Sequence, residues 1–324
     1  MNNEIIAQKK GFVKPFVNLS PTLVEEEIDK VTKWEFRKVL SQKMARKMMR
    51  AGYYKRGLRM SACSTTMSFS KCDDCNHSQI HHASLCRDKL CPVCKWRLAV
   101  KRYKALSDIL HIASDEYPEA VYMFVTLTVP NCPVDYLSDT LSAMSKQWNK
   151  LLQRVSMKRA RGWARATEIT YNEKQRSMHP HYHVIVMFDG QGDADLYSMQ
   201  IIKDWLDLNR SCSYKAQSVK TIAKKDLDSD IIKPALEVFK YSTKDDDLYD
   251  MPLNIFREFV NQVSNKRMVS FGGWLKECKR LIEVDLEIAT DEMFVTCQCC
   301  GSAMLHDILC EWSGMDNKYH KITI

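Results

Sequence analysis

Glycine (10) and proline (9) are scarce in this 324-residue chain, which excludes a collagen-like or linker-rich polypeptide and predicts continuous folded structure. Long hydrophobic runs are missing too. The best, such as Val184–Phe188, falls far short of the roughly 20 apolar residues that span a bilayer. Met1–Lys10 has no basic segment followed by an apolar one, so secretion is not expected and a cytoplasmic location is. What is present is an ordinary core-forming composition, 45% apolar, in a chain long enough for about two domains. Thirteen cysteines are an odd number, and several form C-x2-C pairs. In a chain that is not secreted, these read as reduced thiols and metal ligands, not as a disulfide framework.

The net charge of +8 is concentrated locally. Between Lys33 and Arg59 there are ten Lys or Arg and one acid, Glu35, with Tyr53 and Tyr54 interleaved near the end. This predicts a basic helix of the kind that binds a phosphate backbone, the plain alternative being a solvated helix face. Helices are also predicted over Trp96–Ser114, Leu137–Met157, Asp195–Leu208 and Ile231–Thr243. Strands are predicted over Val121–Val129, Ala164–Tyr171 and His181–Phe188, the last two joined by a polar turn. The order predicts an α+β fold: a central, largely antiparallel sheet flanked by helices, with a cysteine-knuckle β-hairpin insertion and a basic helical N-terminal arm. Four regions follow: the arm at 1–60, the cysteine-rich region and its helix at 61–114, a core at 115–250, and a C-terminal helical region with a cysteine pair at 251–324.

Alternate side chains of a strand share a face, so His181 and His183 point the same way, and two adjacent imidazoles can chelate one divalent ion. If the preceding turn centres near 175–176, Glu168 lies opposite His183 and supplies a third ligand. Two histidines and one carboxylate leave coordination positions open, unlike a closed structural site. A surface histidine cluster on an edge strand is the alternative. Pro180 lacks an N–H and belongs where the ladder begins or at an edge.

In LEVFKYSTKDDD, Glu237 and Tyr241 are one helical turn apart, and Lys240 and Lys244 are close by. A phenol titrating at about 10 is a poor nucleophile until neighbouring cations lower its pKa. Its attack on phosphorus would leave a phosphotyrosine ester, and the adjacent carboxylate could then act as general base for water. An ordinary amphipathic helix with a packed tyrosine is the alternative.

Together these segments resemble the replication initiators of small rolling-circle plasmids, in the HUH endonuclease superfamily. FVTLTVPN (Phe124–Asn131), HPHYHVIV (His179–Val186) and EVFKYSTK (Glu237–Lys244) are similar to the family's three motifs, in order. SLCRDKLCPVCKWR (Ser84–Arg97) and KRMVSFGGWLKE (Lys266–Glu277) are similar to two more. The resemblance implies an HUH catalytic core in 115–250 and a site-specific DNA nicking and strand-transfer enzyme of the single-tyrosine plasmid type. Tyr241 would nick the double-strand origin and hold the 5′-phosphate, Lys240 and Lys244 would belong to the same motif, and Glu237 would activate the terminating water. His181, His183 and Glu168 would hold Mg2+ or Mn2+, with His179 an auxiliary. Partners would be plasmid origin DNA, as duplex and exposed single strand, and the host helicase and polymerase machinery. Other readings are an HUH transposase or relaxase, which the SFGG stretch argues against, and a non-catalytic zinc-knuckle origin-binding protein.

Folding the segment 61–86 as a hairpin with its tip near Asp73–Asp74 puts Cys63 opposite Cys86, beside Cys91 and Cys94. These four make an all-thiolate zinc site that the resemblance favours. Cys72 and Cys75 at the tip would then join Cys297 and Cys300 in a second zinc site. A rival arrangement is one site from Cys72, Cys75, Cys91 and Cys94. Cys132, Cys212 and Cys278 have no ligand spacing and read as packing residues.

Overall fold

The computed structural model describes residues 26–75, 78–190, 194–222, 245–280, 297, 299–302 and 306–322. Its elements, in order, begin with helices α1 (Glu26–Arg50) and α2 (Tyr54–Ser61), the hairpin β1 (Thr66–Lys71) and β2 (Ser78–Ala83), and helix α3 (Pro92–Glu116). Strand β3 (Val121–Thr128), helix α4 (Leu137–Leu151), the hairpin β4 (Ala160–Asn172) and β5 (Ser177–Phe188), helix α5 (Ala194–Leu208) and strand β6 (Ser218–Ile222) follow. Helices α6 (Asp245–Asp250) and α7 (Leu253–Val263) and strands β7 (Val269–Gly273), β8 (His306–Ser313) and β9 (Lys318–Lys321) complete the order. The fold is α+β, with two antiparallel sheets flanked by helices. The larger sheet runs β6-β3-β5-β4-β7 and the smaller β2-β1-β8-β9. Among the described residues no helix is long and apolar enough to cross a membrane.

The larger sheet is covered on both faces, so the C-terminal part of β5 is apolar without alternation: Val184, Ile185, Val186, Met187 and Phe188 are all buried. Val184 and Val186 pack with Met144 and Trp148 of α4 and Ile201 and Trp205 of α5. Ile185 and Met187 face the other way, with Leu106, Ile109 and Leu110 of α3. At the closed end of the β4–β5 hairpin, Arg176 takes a left-handed φ of 50°, and Asn172 Oδ1 accepts the Gln175 N–H at 3.0 Å.

Two features depart from the expected elements. The basic stretch Lys33–Arg59 is two helices, not one, because Gly52, at φ 94°, ends α1 in the left-handed conformation that glycine adopts without strain. Several of its cations are internal ties. Lys38 occupies a core position of α1, on the stripe Trp34, Ser41, Met44 and Met48, and Lys47 Nζ donates to the carbonyls of Tyr249 (2.8 Å) and Met251 (2.5 Å). The C-terminal region, expected to be helical, carries β7, β8 and β9 besides α7, because β8 finds an open edge on β1 and β7 one on β4. The predicted helix Ile231–Thr243 lies outside the described residues.

The Phe271-Gly272-Gly273 segment completes the sheet through close approach. Gly272 pairs with Trp163, and a Cβ there would sit 2.3 Å from the indole ring; Gly273 has φ 57° and lies against the Arg161 carbonyl. Gly272→Ala should therefore lower stability by about 1–3 kcal/mol through overpacking, read as a lower thermal midpoint. An unchanged midpoint would contradict this packing.

Candidate active site and metal centres

The β4–β5 ladder pairs Glu168 with His181 and Ala166 with His183. The turn thus centres between 174 and 175, and Glu168 faces His181 directly, not His183 as expected. The correction is small in space, because the carboxylate reaches both rings: Glu168 Oε2 lies 3.2 Å from His181 Nε2 and 3.1 Å from His183 Nε2. Pro180 sits opposite Ile169, past the end of the β3 pairing at Thr128–His181, so the ladder with β3 needs no N–H from it.

The protonation of this trio is constrained by its outer contacts. His181 Nδ1 is 3.3 Å from the His179 carbonyl, which can only accept, so Nδ1 carries the proton. In a neutral ring Nε2 is then a lone pair, and it is aimed at a carboxylate. Two acceptors face one another, and either a proton or a metal cation must lie between them. With the proton between them, as N–H donors on His181 and His183, burial would still raise the Glu168 pKa, but those hydrogen bonds outweigh it and hold the carboxyl down to about 2. The carboxylate is therefore ionised at neutral pH, and the donor set of two imidazoles and one carboxylate fits a divalent cation with open positions.

The first motif, in β3, supports these ligands in a way the sequence reading missed. Thr126 pairs with His183 and its Oγ1 lies 3.2 Å from His183 Nδ1, while the Phe124 ring stacks on the same imidazole at 5.7 Å. The alternation of FVTLTVPN was the available signal: Phe124 and Thr126 share the face of the histidines. His179 lies outside the three-ligand group, and its Nδ1 is 2.8 Å from Asn131 Oδ1, at the end of that motif. Tyr241, Glu237, Lys240 and Lys244 lie outside the described residues.

Two further groups of potential ligands are all-cysteine. Cys63, Cys86, Cys91 and Cys94 bring their sulfurs within 4.8 Å of one another, as do Cys72, Cys75, Cys297 and Cys300. The Cys63–Cys94 and Cys86–Cys94 contacts are 3.6 Å; Cys72–Cys300 is 3.5 Å and Cys75–Cys297 3.3 Å. A tetrahedral site with zinc–sulfur bonds of about 2.3 Å would set the sulfurs roughly 3.8 Å apart, so both groups fit one. The rival set that mixes Cys72 and Cys75 with Cys91 and Cys94 is not assembled. Contact with Cys63 lowers the thiol pKa of Cys91 and Cys94, towards the thiolate a metal needs, and the Arg87 N–H donates to Cys94 Sγ at 3.2 Å. Cys132 and Cys278 are buried in apolar clusters, and Cys212 packs at the edge of one.

With this geometry in place, comparison with known proteins decides the family. A model of the Replication protein family matches residues 77–320. The chain belongs to this family. The replication protein is 30% identical over 262 residues to a Protein rep of Streptococcus pneumoniae serotype 2, covering 78% of this chain and 80% of that relative. It is 30% identical over 253 residues to a Protein rep of Bacillus amyloliquefaciens (71% and 74% covered) and 27% over 272 residues to one of Lactiplantibacillus plantarum (80% and 84%). No solved structure matches it. The resemblance to plasmid replication initiators read from the five motifs is thus borne out at the level of the family.

Lys38 completes the first cysteine group from below. Its Nζ donates to the carbonyls of Ser61 (2.8 Å) and Cys63 (2.6 Å) and to Thr65 Oγ1 (3.1 Å). Desolvation lowers its pKa to about 8, against the opposing pull of the Cys63, Cys91 and Cys86 sulfurs. Lys38→Met would keep the stem but leave two carbonyls without their donor. We expect a loss of about 2–3 kcal/mol in denaturant unfolding, and stability equal to that of the parent would contradict this role.

Proposed function

We propose that this replication protein initiates rolling-circle replication of a plasmid by nicking one strand of the double-strand origin through Tyr241. The observation that carries the reading is the trio Glu168, His181 and His183, whose ligand atoms converge as a two-histidine, one-carboxylate donor set that suits a divalent cation. A bound Mg2+ or Mn2+ would polarise the scissile phosphate. The flank of the tyrosine segment supports proximity: Asp247, six residues after Tyr241, accepts the N–H of Tyr171 at 3.2 Å, three residues past Glu168 on β4. Six residues reach at most about 20 Å, which allows the phenol to meet the site.

In this mechanism the Tyr241 phenol oxygen attacks the phosphorus as its proton leaves to solvent. The bond from phosphorus to the 3′ oxygen breaks, that oxygen takes up a proton, and the new ester retains the energy of the phosphodiester. Lys240 and Lys244 stabilise the developing charge. At termination Glu237 takes the proton of an attacking water, the ester is cleaved, and the phenol is restored. The two cysteine groups hold structural Zn2+, with origin DNA as partner.

Incubation with supercoiled plasmid carrying the replicon's own origin and Mn2+ tests the chemistry. The parent chain should give nicked circles with protein on the 5′ end. Tyr241→Phe should give none while still binding DNA, and nicking by that variant would refute the assignment. Glu237→Gln should keep the first cleavage but accumulate covalent adduct; normal release would remove Glu237 from its role. Elemental analysis should find two zinc ions per chain, and Cys91→Ser should lose one of them. Zinc absent from the purified parent would contradict the structural sites.

A further inference from the structure

Beside the cysteine knuckle lies a cleft of about 860 Å3 with an unusual charge. Arg87 and Lys89 come from the loop before α3, four cationic side chains from α3 between Lys95 and Arg102, and Lys266 and Arg267 from the turn before β7. Against these eight cations stands one acid, Asp88. It is already neutralised: Arg56 Nε and Nη2 fork onto its carboxylate at 2.8 and 3.0 Å, and the Leu90 N–H donates to it at 2.9 Å. Lys89 and Lys266 also reach protein oxygens, but Lys101 and Arg267 are exposed, and the excess positive charge attracts a polyanion or counterions.

The walls are held firmly. The Cys94 contact holds the backbone at Arg87, which has a left-handed φ of 57°, and Lys89 Nζ reaches across to the Ser264 and Lys266 carbonyls at 3.4 Å. The cleft is also joined to the trio through the pairing of β7 with β4. Its lining residue Val269 pairs with Ala166, the Met268 carbonyl accepts the Thr167 N–H at 2.7 Å, and Glu168 is the next residue. Ala166 and Glu168 share a face two residues apart, about 7 Å along the strand.

We infer that this cleft grips the sugar-phosphate backbone of duplex DNA flanking the nick site and so delivers the scissile strand to the metal-binding trio. The inference rests on the initiator reading above and names the part of the substrate that reading leaves unplaced. Duplex is favoured over single strand by composition. Tracks for single strands interleave cations with aromatic platforms for base stacking, and none of the described lining residues is aromatic. Cations without stacking surfaces neutralise phosphates and set register.

The test uses Lys101→Glu/Arg267→Glu in the full zinc-bound chain, because both side chains are exposed. Binding is read by fluorescence anisotropy without added Mg2+ or Mn2+, so failure of the nicking chemistry cannot mask the outcome. The probes are a duplex of about 25 base pairs containing the origin and its single strand, across a salt series. The double variant should weaken duplex binding at least about tenfold near 0.1 M salt and reduce the slope of log K against log salt by about 2, with single-strand binding within about twofold. Lys101→Ala/Arg267→Ala should shift affinity in the same direction. A control with the same charge change on the opposite face of the sheet, Lys146→Glu/Lys150→Glu on α4, should lose much less. Unchanged duplex affinity, an equal loss in the control, or an equal loss for the single strand would each overturn the inference.

Discussion

The antiparallel ladder between β4 and β5 places a carboxylate against two imidazoles, and the candidate chemistry depends on that placement. Because side chains alternate with period two, a slip of one residue would send Glu168 to the opposite face and leave His181 and His183 without a partner. Register is set by the turn at Asn172–Ser177, and β3 adds Thr126 and Phe124 against the second imidazole. The His179 carbonyl then decides the tautomer of His181. With Nδ1 committed to that carbonyl, Nε2 is the ring atom left to meet Glu168, as the candidate cation site needs.

The remaining architecture joins parts far apart in sequence. The smaller sheet takes its central pair from β1 and β8, more than 200 residues apart, and the second cysteine group lies at the end of that pairing. The first group anchors the hairpin base to α3, and Lys38 of α1 ties its backbone to the core. β7 closes the larger sheet next to Glu168 only because Gly272 leaves room for Trp163.

Much of this was legible from residue spacing, and the exceptions have physical reasons. The H-x-H alternation located the ligand strand, and the symmetry of Cys63 and Cys86 about the hairpin tip located four sulfurs that do converge. The partner of His183 was misplaced by two residues because a polar turn such as Asn172–Ser177 does not reveal its centre, yet Glu168 is long enough to bridge both rings. Charge alone could not separate Lys38, buried beneath sulfur, from the exposed Lys101. Nor could local pattern find β8 and β9, whose stability comes from an edge offered by a distant hairpin. The SFGG stretch stood out as a motif, while its cause, an indole ring on the neighbouring strand, is visible only in three dimensions.

The central claim is that Glu168, His181 and His183 together hold one divalent cation, and electron paramagnetic resonance of Mn2+ added to the zinc-loaded chain tests it most directly. The account predicts one bound Mn2+ per chain in the parent and loss of that bound signal in His181→Ala and in Glu168→Ala, with the zinc content unchanged. Undiminished Mn2+ binding in both variants, or none in the parent, would contradict it.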